Sequence, residues 1–165
     1  MIEEIRERLS DDDRPVFTIS IAAEMVGVSV QTLRLYESAN LLSPQRSASQ
    51  RRLYSRNDIE RLRCIRIMLE DRGLNLAAIK TLLSLVPCWH IKGCNEEDRR
   101  NCDAYYEMGE PCWAVRNKGG ICADIDCRHC VVYLSLAKCH NLKQYLKEHW
   151  QCDGDNQKSE SSAPA

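Results

Sequence analysis

No run in this 165-residue chain approaches the roughly 18 consecutive apolar residues that a membrane-crossing helix needs, which argues against a helical membrane protein. Met1-Ile2-Glu3-Glu4-Ile5-Arg6 lacks the apolar core of a signal peptide, so the expected location is cytoplasmic. A formal net charge of −1 leaves out the global basicity of many nucleic-acid binders. No glycine-rich phosphate loop is present, which argues against nucleotide chemistry. The four histidines are dispersed, and no Ser/His/Asp or Cys/His arrangement can be assembled from their positions. Asp124 and Asp126 flank Cys127 but do not read as an acid/base pair. The expectation is a protein that is not an enzyme.

The features that are present are unevenly distributed. Residues 14–80 carry eleven Lys/Arg against six Asp/Glu, whereas residues 1–13 carry six acids and two bases. A basic block between acidic flanks suits a DNA-binding module, although a solvated helix face has the same composition. Ten cysteines in a reducing compartment make a poor disulfide scaffold, and metal or redox chemistry explains them better.

The basic block opens with two short helical patterns around Gly27. Ser20 is placed to cap the first and Ser29 the second, because a serine hydroxyl accepts from an orphan N–H in the first turn. Gly27 stands where the chain turns sharply, and glycine takes positive φ there without steric cost. Ala23 is small enough for close helix crossing and Leu33 large enough to fill the junction, the logic of a helix-turn-helix. Asn40 fits a left-handed helix end, Pro44 bars further helix, and the polar stretch 45–54 reads as a hairpin or wing. Ser55-Arg56-Asn57-Asp58 has the form of a capping box, followed by Ile59, Leu62, Ile65 and Leu69 at helical spacing. Gly73 ends that helix, and Asn75 caps another that carries Ile79, Leu82, Leu83 and Val86 before Pro87. On the second short helix, Gln31 and Arg34 have the side chains to read base edges, while Thr32 and Tyr36 suit phosphates, Tyr36 reading equally as half core. Arg46, Arg51, Arg52 and Tyr54 fall in the wing, where cations neutralise the DNA backbone.

Three stretches together resemble the MerR family of bacterial regulators: Val28-Ser29-Val30-Gln31-Thr32-Leu33-Arg34-Leu35-Tyr36-Glu37, Leu41-Leu42-Ser43-Pro44, and Arg51-Arg52-Leu53-Tyr54-Ser55 with Asp58-Ile59. Gly73-Leu74-Asn75-Leu76-Ala77-Ala78-Ile79-Lys80 resembles the heat-shock-repressor branch of that family. The resemblance covers residues 17–85 and implies a winged-helix homodimer on near-palindromic double-stranded promoter DNA, with RNA polymerase as a further candidate partner. By position, Ser29, Gln31, Thr32, Arg34 and Tyr36 match the family's recognition helix, and Arg46, Arg52 and Tyr54 its wing. Two departures stand out. Asn40 and the turn Ser47-Ala48-Ser49-Gln50 occupy places where the family usually has glycine.

At Pro87 the composition changes. Seven cysteines follow within 43 residues, as Cys88-x5-Cys94-x7-Cys102-x9-Cys112-x9-Cys122-x4-Cys127-x2-Cys130, with no clear periodicity. Pro87-Cys88-Trp89 and Pro111-Cys112-Trp113 form a weak internal repeat. Clustered thiolates repel one another unless a cation lies between them, which makes these cysteines candidate metal ligands. Cys122-x4-Cys127-x2-Cys130 has the spacing of plant-type [2Fe–2S] ligation, and Trp89 and Trp113 could shield a cluster from water. Zinc is the alternative: Cys127-x2-Cys130 fits a zinc knuckle, and His90 or His129 could supply nitrogen. Free or transiently oxidised thiols are a third possibility. The segment also resembles cysteine-rich modules with two Cys-Trp pairs that accompany some bacterial signalling proteins, a likeness that names no metal. Cys64 and Cys139 read as small core residues, and Cys152 as a free thiol near the tail.

The expected fold is therefore mostly α. An N-terminal extension (1–15) precedes a winged helix-turn-helix domain (16–86), a cysteine-rich metal-binding module (87–130), a C-terminal helix (131–152) that could pair two copies, and a disordered tail (153–165). The first functional reading is a dimeric DNA-binding regulator that senses redox state, oxygen or metal through a cysteine-ligated centre. A heat-shock-type repressor with a purely structural metal module is one alternative, and a redox electron carrier is another.

Overall fold

The computed structural model describes residues 11–137 together with positions 143 and 147. The elements run β1 (Phe17–Thr18), α1 (Ile19–Val26), α2 (Val30–Ser38), β2 (Gln45–Arg46), β3 (Arg52–Tyr54), α3 (Arg56–Glu70), α4 (Leu76–Ser84), α5 (Cys88–Lys92), α6 (Glu96–Arg100), α7 (Asp103–Tyr106) and α8 (Val131–Ser135). Short 3₁₀ turns lie at Asp11–Asp13, Cys112–Ala114, Gly120–Cys122 and Cys127–His129. The three strands form one antiparallel sheet in the order β1-β3-β2, with Phe17 opposite Tyr54 and Gln45 opposite Leu53.

Local chemistry accounts for most element ends. Gly27 ends α1 at φ 74, and its N–H returns to the carbonyls of Ala23 and Glu24 at 2.9 and 3.1 Å. A β-carbon there would sit 3.0 Å from Arg66 Nη1, whose guanidinium donates to the Val26 carbonyl and ties the turn to α3. The Ser29 hydroxyl accepts from the Thr32 N–H at 3.0 Å. Ser55 and Asp58 form the reciprocal box, with Asp58 N–H on Ser55 Oγ at 3.1 Å and Ser55 N–H on Asp58 Oδ2 at 2.9 Å. Asn75 caps α4 through the Ala78 N–H at 2.8 Å. The expected cap at Ser20 is not used. Thr18 holds the N-cap position without a side-chain bond, and Ser20 lies inside α1, because pairing of β1 with β3 keeps the chain extended through Thr18.

The wing closes without glycine. Gln50 takes φ 61, its N–H reaches the Ser47 carbonyl at 2.9 Å, and Ser47 Oγ accepts from the Arg51 N–H at 3.1 Å. Hydrogen bonds from the turn offset the conformational cost that glycine would have avoided.

Ala22, Leu33, Leu41, Tyr54, Leu62 and Ile79 are wholly buried, with Ile59 and Ile65 close behind. Burial of each large side chain contributes about 1.5–3 kcal/mol. The same core also takes in Cys130, Val132, Tyr133 and Leu136. The boundary drawn at residue 86 therefore does not separate two cores, and α8 begins by completing the first one. The expected pairing helix lies largely outside the described residues beyond this point, as do residues 1–10 of the N-terminal extension. Among the described residues no helix is long and apolar enough to cross a membrane.

Candidate nucleic-acid interface and cysteine cavity

Helix α2 and the β2–β3 hairpin carry the residues expected at DNA. Ser29, Gln31, Arg34, Arg46 and Arg51 are exposed, and Thr32 and Arg52 are half-buried. Arg34 and Arg51 make no ion pair among the described residues. Arg46 and Arg52 both reach Glu37 on α2, Arg46 at 3.4 Å, so the carboxylate pins the wing to the recognition helix. The Ser29 and Thr32 hydroxyls lie 2.9 Å from each other.

Tyr54 is placed differently from the expectation, and Tyr36 takes the core side of its two readings. Tyr54 is 0 % exposed and Tyr36 5 %, so both rings support the helix and sheet from behind. Burial pushes the Tyr54 phenol up to about 12, helped by the nearby Glu37 charge. Leu35 is 52 % exposed on the open side of α2, an apolar contact residue that polar pattern-reading passes over.

All seven cysteines of the second segment line one cavity of about 620 Å³, part of it open to solvent. They arrive from separate short elements. Cys88 opens α5. Cys94 follows Gly93, with its N–H on the Trp89 carbonyl at 2.8 Å. Cys102 precedes α7, while Cys112, Cys122 and Cys127 sit in 3₁₀ turns. Cys130, the most buried, has its N–H on the Cys127 carbonyl at 3.0 Å. The loop carrying Cys122 lies against the end of α6 at Gly119, where a β-carbon would meet the Asn101 carbonyl oxygen at 2.7 Å. Trp89, Tyr105, Trp113 and Tyr133 supply the apolar wall, and Lys92 and Lys118 the cations.

Charge effects in the cavity follow from crowding. A hydrogen bond from Cys112 holds the Cys88 thiol below its ordinary value. The Cys112 thiol is driven well upward by that same bond and by burial. Burial pushes Cys122 up to about 11. Lys118 Nζ donates to Cys127 Sγ at 3.1 Å.

All seven of these thiols are free. Among the described residues no three donors stand at metal-ligating geometry. The donor set is nevertheless sulfur-rich, in a cavity with two ammonium groups and an aromatic wall. This is chemistry that fits a soft metal or an iron–sulfur cluster. His90 and His129 do not line the cavity. Asp126 forms an ion pair with Arg128, which holds its carboxyl below the usual range. Cys64 is buried as expected but is disulfide-bonded, which the sequence reading did not anticipate.

The cavity is fastened to the helix-turn-helix. Trp113 Nε1 donates to the Asn40 carbonyl at 2.8 Å, and Asn40 Nδ2 to Glu110 Oε2 at 3.1 Å. Glu110 also pairs with Lys80 on α4. The Ser43 N–H donates to the Tyr133 hydroxyl at 2.9 Å. Buried Arg61 donates to the Tyr133 carbonyl, and its guanidinium carbon lies 4.0 Å from the Tyr133 ring centre. Sequence reasoning missed Arg61, Glu110 and Tyr133, whose partners are many residues away along the chain.

Residues 17–85 match the family described as MerR HTH family regulatory protein, and the cysteine segment lies beyond that match. The chain is 46% identical over 74 residues to the putative heat shock protein HspR of Streptomyces coelicolor, covering 45% of this chain and 49% of that protein. It is 44% identical over 69 residues to the HTH-type transcriptional regulator GlnR of Bacillus anthracis, covering 42% and 53%. It is 43% identical over 68 residues to the HTH-type transcriptional regulator HmrR of Sinorhizobium medicae, covering 41% and 46%. The chain thus spans about half the length of these curated relatives.

Proposed function

Residues 17–85 are a MerR-family helix-turn-helix domain, and from that premise we propose that the chain is a dimeric transcription regulator whose cysteine cavity holds a sensing centre. The dimer binds promoter DNA. Helix α2 enters the major groove with Gln31 and Arg34 toward base edges, while Arg51 at the wing, with Arg46 and Arg52 beside it, follows the phosphates. Tyr36 and Tyr54 hold these surfaces in shape.

The observation that carries the sensing half is the convergence of seven free cysteines on one cavity packed against the DNA-binding domain. Cys88, Cys94, Cys102, Cys112, Cys122, Cys127 and Cys130 are the ligand pool. A bound iron–sulfur cluster would supply a one-electron redox couple, and zinc would supply none. Trp89 and Trp113 exclude water, and Lys92 and Lys118 balance thiolate charge. The likeness to HspR favours a second reading, a heat-shock-type repressor in which the metal is structural.

Metal and sulfide quantification with an absorbance spectrum, on protein purified without air, separates these readings. Iron with equimolar sulfide and visible absorption supports the cluster. A colourless protein with stoichiometric zinc supports the structural reading. For the DNA half, Arg34→Ala should weaken binding to a selected duplex by about 1–3 kcal/mol and relax specificity at one position. Unaltered occupancy would remove Arg34 from the interface.

A further inference from the structure

The two Pro-Cys-Trp sequences do different work. Trp89 stays within the cysteine segment, its ring 5.1 Å from Tyr105. Trp113 reaches out to the DNA-binding domain. Its indole N–H donates to the Asn40 carbonyl at 2.8 Å, and its ring meets Tyr133 edge-on at 5.1 Å. Asn40 follows α2 at φ 59, a conformation that favours glycine. Its side chain accounts for the exception, since Nδ2 donates to Glu110, and so residues 110–113 hold both the backbone and the amide of Asn40. Three residues on, the Ser43 N–H is held by Tyr133. Residues 39–44 join the end of α2 to the wing strand β2, so this stretch sets how the recognition helix and the wing lie to one another.

We propose that Trp113 is a positioning residue that carries the state of the Cys112 sulfur to the turn between recognition helix and wing. This rests on the reading above, in which α2 and the wing bind DNA and the thiols hold a metal centre. Cys112 and Trp113 share a single 3₁₀ turn, Cys112–Ala114, which begins after the fully buried Pro111. A turn of three residues gives the two side chains little independence. Pro111, locked in place by packing and by its ring, serves as the pivot. Drawing Cys112 Sγ to a metal–sulfur distance of about 2.3 Å shifts the turn, and the indole at its other side shifts with it. The departure from glycine at position 40 thereby acquires a purpose: it gives the cysteine segment a second handle on the DNA-reading turn.

The test uses the full chain, handled without air, as isolated and after metal removal by chelator, with zinc reloading as the reversal. Amide hydrogen exchange at residues 40–43 is measured without DNA. Affinity is measured for a duplex that the wild-type protein selects from random sequence. In the wild type, metal removal should change exchange at 40–43 on the order of tenfold, the change one hydrogen bond commonly makes, and should change duplex affinity. Trp113→Phe keeps an aromatic ring against Tyr133 but loses the N–H donor. Compared at equal zinc per chain, it should exchange alike at 40–43 in both states and bring the ratio of loaded to stripped DNA affinities toward one. Asn40→Gly keeps the carbonyl and the positive φ, so it should retain the metal response.

A wild-type response that survives in Trp113→Phe, or no response in the wild type, overturns the proposal. So does a response abolished only by Asn40→Gly, which would place the link in Glu110. A wild-type chain that selects no duplex while exchange still follows metal overturns the DNA reading instead. A chain that holds no metal overturns the premise of a centre, and the proposal with it.

Discussion

Residues 16–86 and residues 88–129 are held together by different means. The first stretch buries Leu33, Leu41, Tyr54, Ile59, Leu62, Ile65 and Ile79 under helices of up to fifteen residues with chemically defined caps. In the second, Ala104 and Pro111 are the buried residues, and each helix is five residues or shorter. Fixing a residue's backbone costs about 1–2 kcal/mol, and two small buried side chains offset little of that. The first region is built by its apolar core. The second depends on its docking contacts and on whatever its six thiols bind together with Cys130.

The sharpest way to break this comparison is metal removal. With its ligand gone, 88–129 should lose exchange protection throughout while α3 and α4 keep theirs, because structural metal binding supplies the folding free energy of such segments. Retained protection in 88–129 would show that docking alone suffices. Next in size, Leu62→Ala should destabilise the first region by about 2–5 kcal/mol in denaturant titration, whereas Ile121→Ala, at a 44 % exposed site, should stay within about 0.5 kcal/mol. Ser55→Ala, which removes the cap of α3, should cost about 1 kcal/mol without altering metal content.

The smallest effect is on the docking contacts. Burial would raise the Glu110 carboxyl, but its bonds with Lys80 and Asn40 outweigh that and hold it below the ordinary 4.5. A depressed acid stabilises the fold above its unfolded value and loses that contribution as pH falls through the folded one. The protection factor at 40–43, taken against the intrinsic exchange rate, should therefore fall below about pH 4.5 in the wild type, and Glu110→Gln should flatten that step.

Legibility followed the range of the contacts. Gly27, Ser29, the Ser55–Asp58 box and Asn75 were all readable because each partner lies within four residues. The gathering of the seven cysteines on one cavity was foreshadowed by their crowding into one segment. Their packing on the winged helix was not. Trp113–Asn40, Tyr133–Ser43 and Arg61–Tyr133 join residues more than seventy positions apart. The full burial of Tyr54 was missed for a related reason, because a phenol can face water or core and neighbouring residues do not decide which. Nor was it readable that Val132 and Tyr133, at the start of the helix expected from 131, join a core that begins a hundred residues earlier.

Glu37 has a consequence for ionic strength. Of the four arginines on the recognition helix and wing, Arg46 and Arg52 already share this carboxylate. A phosphate that approaches them competes with an existing counter-charge and releases fewer condensed cations than it would at a bare guanidinium. In a dimer bound as proposed above, the wing's share of the salt dependence would then be set by Arg51, roughly one released ion per protomer where a tally of the wing arginines gives three.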